Sequence, residues 1–198
     1  LDGIGKSFEY WRTGGKWDKI KENLDRLKDA RDKGKANIII GVTSAVGWIN
    51  FKEVFKLHRY LVENDYILNN EQSGLAIQMQ PVYDVGISFE KCPIELKDEI
   101  NSALNDYQQW IDTTFTKAKI VDSISVFRSL LDKAEPNNEG NLKAWLQHNK
   151  VIDKHFGTKW EDIYTFDLPR YNEYLDYLHS LGDKDKSLMF EHFLDNRI

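Results

Sequence analysis

The chain is predicted to fold as an α/β protein, with parallel strands in its first part and helices in the remainder. Three observations lead there. Up to residue 92, stretches with apolar residues at helical spacing alternate with short β-branched runs. A strand, a crossover helix and a second strand in that rhythm make a parallel pair. Beyond Pro93 the β-branched runs stop and only helical spacing remains. The division is therefore 1–92 for the strand-bearing part and 93–198 for a helical region packed on it.

The elements follow in order. A helix following Ser7 is stopped by Gly14-Gly15 within about two turns. Lys16 to Lys33 carries Trp17, Ile20, Leu24 and Leu27 on one face, with Gly34 placed to end the helix. The run ANIIIGVTSAV, from Ala36, reads as a strand buried on both faces. Asn50 is a candidate cap for the next helix, whose stripe is Phe51, Val54, Phe55, His58, Leu61 and Val62. GLAIQMQPV, after the polar turn 69–73, is a second strand. Pro93 suits a helix start, and Leu96, Ile100, Ala103, Leu104, Tyr107 and Ile111 mark the inner face of the helix that follows. Further helices are predicted near 120–133, 141–156, 168–181 and 184–196.

Composition narrows the function. With 198 residues, 41% of them apolar and 30% charged, the chain can bury one sizeable core. The net charge of -5 is spread as mixed signs, with no basic stripe to follow a phosphate backbone, so nucleic acid is not an expected partner. Apolar runs such as Ile38-Ile39-Ile40 are too short to cross a bilayer, and no membrane association is expected. The single cysteine, Cys92, excludes an internal disulfide and points to a reducing, cytoplasmic setting. Leu1-Asp2-Gly3 reads as the end of a strand and the start of its loop, so the chain is expected to be a fragment.

Gly5-Lys6-Ser7 raises a separate possibility, the second half of a phosphate-cradling loop. Such a loop opens a long helix, and a later strand ends in an aspartate for magnesium. Here the helix is short and the next strand ends in Thr43 and Ser44 with no acid.

Several stretches taken together resemble the radical S-adenosylmethionine (radical SAM) family. LDGIGKSFEYWRTGGKWDKIKENLDRL is similar to the end of that family's fourth barrel strand, its Ser-x-Asp-Gly element, a short arginine-bearing helix and a "G-x-W/F-D-x-V/I-x-x-N-I/L" helix. Asp2, Gly3, Arg12, Gly15, Trp17, Asp18, Asn23 and Leu24 carry the match. GVTSAVGWINFKEVFKL resembles the fifth strand and its helix, with Asn50 at the family's usual asparagine. MQPVYDVGISFEKCPIELKDEI resembles the sixth strand with Pro81 and the start of the next helix at Cys92-Pro93. NKVIDKHFGTKWEDIY resembles the tail of members with a twitch-like C-terminal region, though His155 or Phe156 stands where arginine is usual.

The resemblance implies the second half of a partial (β/α)6 barrel with parallel strands, followed by a mostly helical C-terminal region. It also implies an oxidoreductase that cleaves S-adenosylmethionine at a [4Fe-4S] cluster, giving a 5′-deoxyadenosyl radical that takes a hydrogen atom from a substrate, with a peptide or protein as a candidate. The family's Cys-x-x-x-Cys-x-x-Cys loop is not in the chain, so the cluster ligands are expected outside it and the fragment alone is expected to be inactive. The expected partners are thus a small-molecule cofactor and that substrate.

Candidate cofactor-binding residues are Asp2, Gly3, Arg12, Ser44 and Gln80. Asp2 and Gly3 fall at the carboxyl edge of the sheet, where α/β folds collect ligands; a plain Asp-Gly turn is the structural alternative. The Arg12 guanidinium suits a carboxylate; alternatively it pairs with Glu9 or Asp18 at the surface. Ser44 and Gln80 are polar groups on predicted strands, chosen over Thr43 and Gln78, and each must find a partner or a ligand. The histidines, His58 among them, are read as core or surface residues, because no metal-ligand spacing links them. Catalytic residues are not identifiable, and no metal ligand is expected within the chain. Two other function classes stay open: a cluster-free module of the same fold that docks a partner, and a nucleotide-binding enzyme using Gly5-Lys6-Ser7.

Overall fold

The computed structural model describes residues 1–35, 37–68, 76–83, 87–115, 121–134, 149–155, 157–159 and 162–163. The fold is mixed α/β. Its described elements are helices α1 (Lys6–Trp11), α2 (Trp17–Asp32), α3 (Phe51–Glu63), α4 (Lys97–Thr114) and α5 (Val121–Asp132), and strands β1 (Val42–Val46) and β2 (Ile77–Pro81). Residues 149–155 are also helical. The helices predicted at 168–181 and 184–196, with His148, His179, His192, Trp145 and Trp160, lie outside the described residues.

β1 and β2 are parallel, as the crossover rule requires, and α3 lies between them in the chain. The register sets Val42 against Ile77, Ser44 against Met79 and Ala45 against Gln80. Paired residues of a parallel ladder share a face. One face therefore carries Val42, Ser44, Val46, Ile77 and Met79, all buried. The other carries Thr43, Ala45, Gln78 and Gln80, of which only Ala45 is even half-buried. The expectation of a strand buried on both faces is corrected accordingly. Pairing also starts later than predicted, at Val42, and Ile39 is 64% exposed.

The core forms on the Ser44 face. α3 buries Phe51, Val54, Phe55, Leu57, His58 and Leu61, so the predicted stripe is present, with Val62 at its margin. α4 buries Ile100, Leu104, Tyr107 and Ile111, and Tyr107 stacks on Phe55 with ring centroids 4.0 Å apart. α5 closes the layer through Phe127, which packs on Phe89 at 5.0 Å. Pro93 precedes a 3-10 turn, Ile94–Leu96, rather than entering α4 directly. Cys92 is buried and forms no disulfide.

Gly14-Gly15 ends α1 as predicted. Gly14 has φ 82°, and a Cβ on Gly15 would lie 2.8 Å from the Arg12 carbonyl oxygen. The turn brings α1 back against α2, where Glu9 accepts the Trp17 N–H at 2.9 Å. A side chain from α1 thus caps α2, and Lys16 offers none. Tyr10 donates to Asn149 Oδ1 at 2.6 Å, tying α1 to the helical residues 149–155.

Candidate functional site at the carboxyl end of strand β1

Residues Leu1 and Asp2 run beside β1 on the edge opposite β2. The Leu1 amino group donates to the Thr43 carbonyl at 2.7 Å. Asp2 Oδ1 accepts the Ala45 N–H at 2.7 Å, in place of a backbone carbonyl. Its Oδ2 accepts the Nε–H of Arg12 at 2.5 Å. The Asp2 side chain is fully buried while that of Arg12 is 57% exposed. A buried carboxylate must be paired, and here each oxygen has a donor. Arg12 meets Asp2 through Nε, and the rest of its side chain is largely exposed. A guanidinium held this way can take a planar anion bidentately. The surface partners considered for Arg12, Glu9 and Asp18, are not the ones it uses.

Asn50 completes this end of the strand and is fully buried. Although it precedes α3, its side chain does not cap that helix. Its Oδ1 accepts the Gly47 N–H at 2.9 Å, and its Nδ2 donates to the Ala45 carbonyl at 3.0 Å and the Asp2 carbonyl at 3.2 Å. One amide therefore joins the end of β1, the loop after it and the Asp2 segment.

Ser44 lies on the other face of the sheet. It donates to the Leu1 carbonyl and lies 3.0 Å from His58 Nε2, and His58 Nδ1 lies 2.6 Å from the Tyr107 hydroxyl. The Leu1 carbonyl can only accept, which uses the serine proton. His58 must then donate from Nε2 and accept the Tyr107 proton at Nδ1. The imidazole is neutral, and burial pushes its pKa down to about 3, with the positive Leu1 amino group acting in the same direction. Burial also holds the Tyr107 hydroxyl above its usual range. Ser44, His58 and Tyr107 are all enclosed, so this chain of groups links β1, α3 and α4 and presents nothing to solvent.

The structure thus pairs Arg12 with Asp2, whose other oxygen takes the Ala45 N–H, and sets Gln80 across the ladder from Ala45. It does not bring Ser44 to that face. Ser44 and Gln80 stand at adjacent ladder levels and so point to opposite faces, and the two strand candidates do not share one site. Gly3 is buried under α1, where an added Cβ would lie 2.4 Å from Ser7 Oγ. Ser7 in turn exchanges hydrogen bonds with Ile4, accepting from its N–H at 2.9 Å and donating to its carbonyl at 2.8 Å. The hydroxyl of Ser7, in Gly5-Lys6-Ser7, is thus engaged within this turn.

Sequence reasoning named Asn50 as a cap and His58 as a core residue but did not foresee what either holds. The signal for Asn50 was its position, just after a glycine-containing loop at a strand's end. No local signal pairs His58 with Tyr107, 49 residues later. Among the described residues no group of three His, Cys, Asp or Glu side chains could hold a metal ion, and no helix is long and apolar enough to cross a membrane. Comparison with family models, curated proteins and solved structures gives no match.

Proposed function

We propose that this chain is the adenosylmethionine-holding part of a radical SAM enzyme, the second half of a partial (β/α)6 barrel with a helical C-terminal region. The observation that supports it most is the exposed guanidinium of Arg12, held through Nε by buried Asp2 beside a parallel strand. The carboxylate of adenosylmethionine matches that donor set. Bound there, adenosylmethionine supplies the precursor of a radical able to take a hydrogen atom from a substrate, a peptide or protein being the candidate class. Arg12 would hold the carboxylate and Asp2 would fix Arg12. Gln80 and Thr43, exposed on the open sheet face, would offer an amide and a hydroxyl to the rest of the ligand. Ser44 holds the strand edge in place from the opposite face.

The described residues do not fit a [4Fe-4S] cluster. The chain's one cysteine is buried in the core, and among the described residues no group of three or more His, Cys, Asp or Glu side chains could hold a metal ion. No step through a cluster is assigned to them; in this proposal its ligands would lie outside this chain.

The test is titration of adenosylmethionine into the full-length protein, reconstituted without oxygen with iron and sulfide, followed by reduction. Saturable binding and release of 5′-deoxyadenosine are expected. A reconstituted protein that neither binds adenosylmethionine nor releases 5′-deoxyadenosine would overturn the proposal.

A further inference from the structure

We infer that Asn50 is a positioning residue for Arg12, acting through Asp2; this rests on the reading of Arg12 as an anion-binding group. Asn50 precedes a 13-residue helix yet leaves that helix uncapped, although capping is what an asparagine there ordinarily does. Its carboxamide has two N–H donors and a strong acceptor, and all are used away from α3. One donor goes to the Asp2 carbonyl, the other to the Ala45 carbonyl, and the acceptor takes the Gly47 N–H.

The two donor bonds bridge the two residues whose mutual hydrogen bond seats the Asp2 carboxylate. Asp2 Oδ1 is on the Ala45 N–H, and Asn50 joins the Asp2 carbonyl to the Ala45 carbonyl. The segment is therefore pinned by its side chain and its main chain at once. Asp2 Oδ2 is thereby held where it accepts the Nε–H of Arg12. Without Asn50 the Asp2 backbone keeps no donor at this end, and the Arg12 fork loses its fixed base. Serine can supply one donor but cannot span both carbonyls and the Gly47 N–H. Aspartate has the shape but no donor, and it would set a second carboxylate beside Asp2.

The experiment is a double-mutant cycle of Asn50→Ser and Arg12→Ala, read by calorimetric titration of adenosylmethionine into the reconstituted full-length protein. Asn50→Ser is expected to weaken binding about tenfold in the presence of Arg12 and less than twofold in its absence. An equal loss in both backgrounds, or a lowered melting temperature with unchanged affinity, would overturn the inference. A second readout needs no ligand: the Nε–H resonance of Arg12 in ¹⁵N-labelled protein. It is expected to shift to the solvent-exposed position and exchange rapidly in Asn50→Ser. If Arg12→Ala itself leaves affinity unchanged, the reading of Arg12 fails, and the resonance alone then decides the role of Asn50: an unmoved signal overturns it. Asn50→Thr is the second variant, and failure of both to fold would assign Asn50 to folding and overturn the inference.

Discussion

Asp2 and Arg12 form one unit in which the buried partner sets the direction of the exposed one: Asp2 has no exposed side-chain surface, and Arg12 meets it by Nε alone at 2.5 Å. On the proposed reading the pair would couple binding to stability, because the charge offered to a ligand also satisfies a buried carboxylate.

Arg12→Ala is expected to weaken adenosylmethionine binding by about tenfold to a hundredfold, the usual effect of losing a charged hydrogen bond worth about 1.5–3 kcal/mol. It should also lower the melting temperature by several degrees, since Asp2 Oδ2 loses its donor. Arg12→Lys should recover part of both losses, an ammonium being unable to reproduce the fork. Asp2→Asn should reproduce the binding loss with Arg12 intact, because an amide turned toward Nε–H opposes donor to donor. Titration and thermal melts on the three variants check this; full affinity in Asp2→Asn would contradict the coupling.

Gly47→Ala should destabilise the fold by about 1–3 kcal/mol. A Cβ there would lie 2.4 Å from the Ile87 carbonyl oxygen, and that carbonyl is fixed by accepting the Trp48 N–H at 3.0 Å. A backbone atom cannot rotate away as a side chain can. Chemical denaturation with an unchanged midpoint would show that the loop at 87 moves freely.

These residues also show what the sequence made legible. The face of α3 could be read from Phe51, Val54, Phe55, His58 and Leu61 because helical period is a local property, and all five are buried. The end of α2 was legible for the same reason, Gly34 having φ 65°. Strand faces were not. The apolar run at Ile38–Ile40 predicts strand, but pairing depends on where β2 offers partners, and the first pair is Val42 with Ile77. Whether Ser44 or Thr43 faces the core depends on that same register. Arg12 was read with its sequence neighbours Glu9 and Asp18, yet Glu9 is engaged at the Trp17 N–H, and Asp2 reaches Arg12 only because α1 folds back over the strand edge.

The end of α3 is expected to respond in opposite directions to two substitutions. Arg31 on α2 donates to the Tyr66 carbonyl at 2.9 Å and the Asp65 carbonyl at 2.6 Å, and Lys28 donates to the Asn64 carbonyl at 2.7 Å. These cations satisfy carbonyls just past the helix, where its dipole is negative. Arg31→Ala should cost about 1–2 kcal/mol. Asp65→Gly should stabilise by about 0.5–1 kcal/mol, because Asp65 sits at φ 58°, which glycine adopts without strain. Thermal melts moving the same way in both variants would refute this account of the turn.

His58 should make the fold acid-sensitive in a defined window. Its pKa is pushed down to about 3 by burial, whereas in the unfolded chain it is near 6.5. Between those values the unfolded chain binds a proton that the folded chain refuses, so stability is fully present above about pH 6.5 and falls as the pH drops toward 3. The slope from this one group is on the order of 1 kcal/mol per pH unit. Geometry supports the sign: protonating Nδ1 would take away the acceptor to which the buried Tyr107 hydroxyl donates, and the Ser44 end already has its proton committed to the Leu1 carbonyl. Tyr107 cannot relieve the conflict by ionising, because burial raises its own pKa. His58→Gln removes the titration. Its melting temperature is expected to be lower than that of the parent at pH 7.5, with the Ser44 and Tyr107 hydroxyls no longer matched, but the gap should narrow steadily between pH 6.5 and 4. Melting temperatures of parent and variant across that range measure the gap; two curves that stay parallel would show that His58 already carries its proton in the folded chain.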